Sequence, residues 1–237
     1  CCTICLDGGG EPVPIQRGCA CRGDAGLAHV ACLAQAAAHQ TTGNNKSWYQ
    51  CPLCGQNYTG AMGLALQRAL MRRMRTRPRS NHQRLCAESN LGDALRIAGQ
   101  LDEAEAVLSR VLAVMKQRVG GEHSPSGLRT AGMLAGTYLE QGRLHEAEEL
   151  QVEVLEASRR VLGVEHAETL HAGINLAATY SRQGKLAEAA VLLEEALATS
   201  RRVLGAGHPD TLLAAGNRAK PGPYTHLTPP TTPYVYV

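Results

Sequence analysis

Apolar residues recur at helical spacing through most of the chain after residue 84. Three segments carry them at positions i, i+3, i+7 and i+8, which together form one face of an α-helix. The three sets are Ala104, Val107, Val111 and Leu112; Ala147, Leu150, Val154 and Leu155; and Ala189, Leu192, Ala196 and Leu197. A further apolar face precedes the last set, at Leu170, Ile174, Ala177 and Tyr180. This pattern predicts helices that come in pairs.

The helical pairs repeat with a nearly constant period. The glycines between the two helices of a pair are spaced by 43 and 42 residues, and so are three histidines further along: Gly99, Gly142 and Gly184; His123, His166 and His208. Such a period predicts a solenoid, whose units bury their faces against their neighbours. The glycines suit left-handed helix C-caps. The histidines recur at one turn in separate units, which favours a capping role over a metal site.

Composition narrows the fold class. The chain contains no Phe and only 3% aromatic residues, so burial has to come from Leu, Val and Ala, which favours closely packed helices over a sandwich or barrel. A shorter apolar pattern predicts another helix from about Gly63 to Met74, ahead of Pro78. Seven arginines between Arg68 and Arg84 account for the net charge of +3, and we interpret them as a solvated linker rather than a nucleic-acid contact. No apolar run approaches the ~18–20 residues that span a bilayer, so we expect no membrane partner.

The residues that carry chemistry lie at the start of the chain. Eight potential metal ligands follow one another there: Cys2, Cys5, Cys19, Cys21, His29, Cys32, Cys51 and Cys54. A Cys-x-x-Cys pair brings two thiolates to the same side of a tight turn, and Zn²⁺ takes four soft donors at tetrahedral corners. The eight residues therefore predict two structural Zn²⁺ sites.

The placement of the cysteines argues against disulfides. Eight of the nine lie before residue 55, and no signal peptide precedes them, which favours a reducing compartment and metal-bound thiolates. We expect the cytoplasm, with the nucleus as the alternative. Cys1 is an extra thiol beside the first ligand, and Cys86 falls in a repeat helix as a small core residue. Because the chain starts at Cys1 rather than Met, we expect it to be part of a longer product.

The ligand order resembles the RING-CH (RING-variant) zinc finger over residues 2–58. One residue separates the third and fourth ligands, and seven separate the fourth from His29. The PHD finger shares the order, but it usually has more residues in the first gap, fewer in the second, and its Trp two residues before the seventh ligand. Here Trp48 lies three residues before Cys51, so RING-CH is the preferred resemblance.

The resemblance implies a cross-braced fold with two interleaved ligand sets. Site one would use Cys2, Cys5, His29 and Cys32, and site two would use Cys19, Cys21, Cys51 and Cys54. Neither site can form without closing a loop that carries ligands of the other, so metal affinity becomes folding energy.

The resemblance also implies a partner. In that family the finger docks a ubiquitin-conjugating enzyme loaded with ubiquitin, and it acts by positioning without a nucleophile of its own. By position, the docking residues would be Ile4, Pro52 and Leu53. Two positions depart from the family: Ala36 stands where a Trp is frequent, and Gly55 stands where a basic residue often follows the last ligand.

The repeats resemble tetratricopeptide repeats of the kinesin light chain type over about residues 85–217. The resemblance is carried by the 42-residue period and by Gly163, His166, Gly205, His208 and the Asn-Leu-Ala run at 175–177. It implies a concave groove, lined by the first helices, that binds cargo or a peptide. Asn90 and Asn175 occupy the groove asparagine position, and Met133 departs from it.

These observations predict a mainly α protein. Residues 1–60 would form a small cross-braced two-zinc finger, 61–84 a short helix and Arg-rich linker, 85–217 an α-solenoid of three helical-hairpin units plus a partial fourth, and 218–237 a disordered Pro/Thr-rich tail. The leading hypothesis is a RING-CH ubiquitin ligase whose repeats bind the protein to be modified. Two alternatives stay open: a non-catalytic adaptor, motivated by Ala36 and Gly55, and a chromatin-type finger that binds a histone tail.

Overall fold

The computed structural model describes residues 4, 16–19, 27–39, 46–117 and 123–218. The described residues are mainly helical, as predicted. Strands β1 (Gln16–Arg17) and β2 (Leu27–Ala28) form a small antiparallel sheet, in which Gln16 pairs with Ala28 and Arg17 with Leu27. The helices are α1 (Val30–His39), α2 (Gly60–Met74), α3 (His82–Ile97), α4 (Leu101–Lys116), α5 (Pro125–Glu140), α6 (Leu144–Val161), α7 (Ala167–Arg182), α8 (Leu186–Val203) and α9 (Pro209–Arg218), with a 3-10 turn at Lys46–Trp48.

These elements fall into two compact units, divided between Gln100 and Leu101. The first unit includes β1, β2 and helices α1 to α3, and the second includes α4 to α9. Each unit has its own hydrophobic clusters. The Pro/Thr-rich segment from residue 219 on lies outside the described residues. The domain boundaries drawn from the sequence therefore stay a prediction.

Helix α2 is central to the first unit. It begins at Gly60, three residues before the predicted start, and ends at Met74 as predicted. One face of the helix is almost completely buried, at positions four residues apart: Met62, Leu66, Leu70 and Met74. The residues that pack against this face are Ala28, Ala37, Trp48, Tyr49 and Ala87. Since several of these lie between the predicted ligands, α2 packs against the ligand-bearing segment in both clusters.

Arg84 fastens helix α3 to the segment before it. The Asn81 side chain caps α3 by accepting a hydrogen bond from the Arg84 backbone N–H at 3.1 Å. The Arg84 guanidinium donates to the carbonyl oxygens of Arg75 (3.3 Å) and Arg77 (2.6 Å). It also pairs with Glu88 at 3.0 Å, and its side chain is only 14% exposed. The sequence analysis expected Arg84 to be a solvated linker residue. In the structure its side chain is instead mostly buried and bonded to the segment before α3.

The second unit is a stack of packed helices, in which each helix contacts the next along the chain. The predicted face of the second helices is buried, with the exposed fraction at or below 8% at Ala104, Val107, Val111, Leu112, Ala147, Val154, Leu155, Ala189, Ala196 and Leu197. Leu150 and Leu192 are partly buried against the same clusters. The first-helix face predicted from Leu170, Ile174 and Ala177 is also buried. The helical periodicity is thus confirmed.

The turns between paired helices follow the predicted chemistry. Gly142 and Gly184 both have φ of 81°, the left-handed conformation that glycine adopts without a steric penalty. Beyond Gly142, the Arg143 N–H donates back to the Tyr138 carbonyl at 2.9 Å, which closes the end of α5. His166 caps α7, because its Nδ1 accepts a hydrogen bond from the Glu168 N–H at 3.2 Å. This confirms the capping role at that histidine.

A carboxylate of one hairpin is bound by the turn of the next. Glu105 in α4 accepts hydrogen bonds from the Gln141 amide at 2.9 Å and from the Arg143 guanidinium at 2.8 Å. The same guanidinium lies 4.2 Å from the centre of the Tyr138 ring. Hydrogen bonds from Arg143 and Gln141 hold the pKa of Glu105 below its usual range. We call this arrangement the carboxylate lock.

The carboxylate lock recurs one unit later. Glu148 in α6 accepts from the Gln183 amide at 2.8 Å and from the Lys185 ammonium at 2.7 Å, and Lys185 lies 5.1 Å from the Tyr180 ring centre. The hydrogen bond from Lys185, then that from Gln183, lowers the pKa of Glu148. At the equivalent position of α8 the sequence has Ala190, which has no carboxylate to offer. The carboxylate lock is therefore formed between α4 and the α5–α6 turn and between α6 and the α7–α8 turn.

Replacing Glu148 with Gln should lower the free energy of unfolding by about 0.5–1 kcal/mol at pH 7, because the partly exposed lock loses its charge. A glutamate whose folded pKa is lowered stabilises the fold above its ordinary pKa, and this contribution disappears as the pH falls through the folded value. Urea unfolding should be measured from pH 7 down through the acid range in which glutamates titrate. The difference in the free energy of unfolding between wild type and variant should become smaller as the pH falls. Glu153→Gln, at an exposed position of the same helix, is the control, and an equal loss in both variants would contradict the lock.

Gly18→Ala should destabilise the first unit by about 1–3 kcal/mol, because of overpacking. A Cβ on Gly18 would lie 2.6 Å from both Cβ and Sδ of Met62, which is 1% exposed and cannot move into solvent. Thermal unfolding of Gly18→Ala, Met62→Ala and the double variant measures the coupling. The double variant should lose less than the sum of the two single losses, since the smaller side chain makes room. Strict additivity would show that the two positions do not collide.

Candidate metal centre

The last two predicted ligands lie on a tight hairpin. The Cys51 N–H donates to the Gln56 carbonyl at 2.8 Å, and the Gly55 N–H donates back to the Cys51 carbonyl at 2.9 Å. Gly55 has φ of 67°, which completes the reversal directly after Cys54. This is the tight turn that a Cys-x-x-Cys pair requires, and it brings the two sulfurs close together.

Cys19 joins this pair from a distant part of the sequence. The Thr59 N–H donates to the Gly18 carbonyl at 2.7 Å, which ties the end of the hairpin to the residue before Cys19. As a result, the Sγ atoms of Cys19, Cys51 and Cys54 all lie within 4.8 Å of one another. Four sulfurs around one Zn²⁺ at ~2.3 Å are about 3.8 Å apart. Both the donor chemistry and the spacing of the three sulfurs therefore fit a zinc site.

Two further predicted ligands meet at the start of helix α1. The Cys32 Sγ lies 3.7 Å from Nδ1 of His29, and the Leu33 N–H donates to the His29 carbonyl at 3.1 Å, which continues the first turn. His29 is buried, with 8% exposure. An imidazole nitrogen and a thiolate at this separation are suited to binding one metal ion.

The structure thus brings five predicted ligands into two groups. The first is Cys19, Cys51 and Cys54, and the second is His29 and Cys32. These groups are subsets of the two sets that cross-bracing implies. The other three, Cys2, Cys5 and Cys21, lie outside the described residues, so the complete ligand assignment stays a prediction. Cys86, predicted as a core residue, is half-buried in α3, with its Sγ 3.6 Å from His82 Nε2.

Tyr58 is part of this site, although the sequence pattern did not indicate it. Its hydroxyl is hydrogen-bonded to the Cys51 thiol group. Burial, followed by the negative charges of Cys51 and Cys19, raises the pKa of Tyr58 well above its ordinary value. The one available signal was compositional: the chain has eight aromatic residues, and three of them, Trp48, Tyr49 and Tyr58, flank the last ligand pair.

The predicted docking residues are exposed. Ile4 is 44% exposed and Leu53 is 72% exposed, and Pro52 between Cys51 and Leu53 is exposed as well. Ala36, at the position where the family often has a Trp, is half-buried in α1. The three docking side chains are therefore accessible to a partner protein, which a docking role requires.

The two predicted groove asparagines fall in different units. Asn175 is exposed on α7, in the second unit, and its carbonyl accepts a hydrogen bond from Thr179 at 3.4 Å. Asn90 lies on α3, in the first unit. There it lines a cavity formed by the segment after the ligand hairpin, by α2 and by α3, with Tyr49, Tyr58, Leu64, Gln67, Asp93 and Ile97. Each unit alone accordingly contains one of the two asparagines.

Over the described part of the chain, no helix combines the length and the apolar composition of a membrane-spanning segment.

Comparison with known families agrees with both halves of this description. The tetratricopeptide repeat model matches residues 83–160, 132–201 and 165–220, and the RING-variant domain model matches residues 2–54. A RING-variant domain implies zinc binding, and the cysteine group of the structure is consistent with it. The repeats support a protein-interaction role. No curated protein matches the chain.

Solved structures with similar folds are kinesin light chain-like repeat proteins. A Podosopora anserina protein described as putative kinesin light chain nearly identical TPR-like repeats is 28% identical, with a TM-score of 0.54, over 67% of this chain and 75% of that one. A point variant of the same protein matches equally well, with a TM-score of 0.55. BtubC (BKLC) from P. vanneervenii is 22% identical, with a TM-score of 0.53, over 66% of each chain, and shows the fold alone.

The family matches therefore agree with the zinc-ligand pattern, the helical period and the packed helices: the chain belongs to the tetratricopeptide repeat family, and its residues 2–54 form a RING-variant domain.

Proposed function

We propose that the protein is a RING-CH-type ubiquitin ligase, whose finger docks a ubiquitin-conjugating enzyme and whose repeats recruit the protein to be modified. The observation that carries this proposal is the apolar surface of the ligand hairpin. Leu53 lies between Cys51 and Cys54 and is 72% exposed. Its side chain contributes little to the core of the first unit. An apolar side chain presented to water on a tight, metal-closed loop is suited to a protein contact.

The proposal includes two Zn²⁺ ions. Site one would be formed by Cys2, Cys5, His29 and Cys32, and site two by Cys19, Cys21, Cys51 and Cys54. The observed sulfur group and the observed His–Cys pair support this division, because they belong to different sets. Four protein ligands fill the coordination sphere of Zn²⁺, so the role of the metal would be structural and no position would stay open for a substrate.

The contribution of this chain to transfer would be positioning. Ile4, Pro52 and Leu53 would contact the conjugating enzyme, and the repeats would hold the substrate, which raises the effective concentration of its amines near the loaded enzyme. Asn175 supports the recruiting role, because it is exposed and its amide can both donate and accept hydrogen bonds along an extended peptide. Asn90, on α3 in the first unit, is the other residue to which the resemblance gives a role in ligand binding.

A second candidate function is a non-catalytic adaptor, in which the finger is a folded interaction surface. The observation that favours it is the backbone at Gly55. With φ of 67°, this position after the last ligand disfavours the basic residue that the family often uses there. Ala36 likewise offers a methyl group where a Trp ring would extend the docking surface.

Leu53→Ala should reduce zinc-dependent ubiquitin transfer at least tenfold with a conjugating enzyme that supports the wild type, because a central apolar anchor of an interface is lost. Autoubiquitination and discharge of the loaded enzyme measure it. Leu186→Ala is the matched control, since this leucine is 53% exposed but lies on α8 in the repeats. Both variants should melt within a few degrees of the wild type.

The result that decides between ligase and adaptor is obtained with the wild type. Absence of a zinc-dependent product with any enzyme of a broad panel would contradict the ligase proposal. If ¹⁵N-labelled conjugating enzyme still showed shifts on adding the protein, and Leu53→Ala abolished them, the adaptor function would stand. Equal transfer by wild type and Leu53→Ala would remove this residue from the docking surface.

Native mass spectrometry should find two zinc ions per chain, and Cys51→Ser should retain at most one, because site two loses a buried ligand. The control is Cys86→Ser, in α3 outside the ligand set, which should retain two. Fewer than two metals in the wild type, or sulfurs joined to one another, would contradict the zinc assignment.

A further inference from the structure

We propose that Tyr58 is a positioning residue for site two: its hydroxyl donates a hydrogen bond to the thiolate of Cys51, orients that ligand and raises the affinity of the site for Zn²⁺. This inference rests on the zinc binding proposed above. It goes beyond it by giving a role to a residue that is not in the ligand set and that the spacing of the cysteines does not indicate.

The backbone of the ligand hairpin sets the position of Tyr58. Gln50 and Asn57 pair as an isolated antiparallel bridge, and the Tyr58 N–H donates to the Tyr49 carbonyl at 2.7 Å. Cys51 therefore follows one strand of this short pairing while Tyr58 ends the other. In this antiparallel pairing Cys51 lies opposite Gln56 and Tyr58 lies opposite Tyr49, so the side chains of Cys51 and Tyr58 are diagonal neighbours on one face, within reach of a tyrosine ring. The Tyr58 hydroxyl is hydrogen-bonded to Cys51 across this diagonal.

The ring of Tyr58 is fixed by packing. It contacts the cluster of Ala28, Met62 and Leu66, three residues that are at most 4% exposed. On the backbone side, Gly63 approaches so closely that a Cβ there would lie 2.5 Å from the Tyr58 carbonyl oxygen. Because the ring is packed and its backbone is closely approached by α2, the side chain loses little further freedom when its hydroxyl binds a sulfur, so the hydrogen bond is preorganised.

The cysteine that receives this bond is the most buried of the three described in site two. Cys51 is 4% exposed, whereas Cys19 is half-buried and Cys54 is exposed and can be solvated by water. A Zn²⁺ ion with four thiolates carries a net negative charge, which is costly to remove from water. A buried O–H donor offsets part of that cost at Cys51, the most buried of the three described cysteines of this site.

The experiment compares the wild type, Tyr58→Phe and Tyr138→Phe in the full chain. Phe keeps the ring and removes only the hydroxyl. Zinc affinity is measured by competition with a chromophoric chelator, and the sulfur-to-metal charge-transfer band is recorded after substitution with Co²⁺. Loss of an outer-shell hydrogen bond typically costs 10–100-fold in metal affinity. Tyr58→Phe should therefore weaken one of the two zinc ions by this factor and shift the charge-transfer band.

Tyr138→Phe, whose ring lies in the repeats beside Arg143, should leave both measurements unchanged. The band is the reading that a loss of packing alone would not move, because it reports the electron density at the sulfur. Unchanged affinity and an unchanged band in Tyr58→Phe, with two zinc ions in the wild type, would overturn the role of Tyr58 and leave the zinc assignment intact. A wild type that binds no zinc at site two would overturn both.

Discussion

Three cysteine sulfurs within 4.8 Å of one another are the constraint on which the first unit depends. As thiolates they repel one another, and a metal cation turns this repulsion into attraction. Two backbone features hold the three sulfurs at this short separation. The glycine turn after Cys54 bends the hairpin, and the bond from Thr59 to Gly18 brings Cys19 beside it. A chain without phenylalanine has few bulky side chains with which to do this by burial alone.

Metal site and hydrophobic core are coupled through helix α2. Gly18, next to Cys19, touches Met62 at the beginning of the helix, and Met74 at its end lies in the cluster that includes Trp48 and Ala87. Ala87 belongs to α3, the first helix of the repeat family match. Helix α2 therefore contacts both the residue beside a predicted ligand and a helix that the sequence assigns to the repeats. The repeats are joined in another way. The carboxylate locks connect successive units by hydrogen bonds between charged side chains at a partly exposed edge.

The sequence predicted what depends on spacing. Helical faces such as Leu170 and Ile174 follow from the period of 3.6, and the glycine turns follow from the 42-residue repeat. The meeting of Cys19 with Cys51 and Cys54 agrees with the grouping that the RING-CH resemblance implies. The sequence did not predict features that depend on which surfaces meet. In the sequence, Arg84 cannot be distinguished from the neighbouring solvated arginines. Its hydrogen bond to the Arg77 carbonyl is visible only in the structure. Tyr58 is not part of the ligand spacing pattern. Its contact with Cys51 depends on which residues pair across the hairpin, and the sequence pattern does not give this pairing.

The departure of Gly55 from the RING-CH pattern is explained by its backbone. A left-handed conformation costs a residue with a Cβ roughly 1–2 kcal/mol, so a basic side chain at this position would strain the turn that closes the last ligand pair. The backbone conformation at Gly55 thus favours closure of the turn over a basic side chain at this position. The docking proposed for Leu53 does not require that contact, because Leu53 lies between the two cysteines and is itself 72% exposed. A ligase built this way would draw its selectivity mainly from enzyme docking and from the repeats.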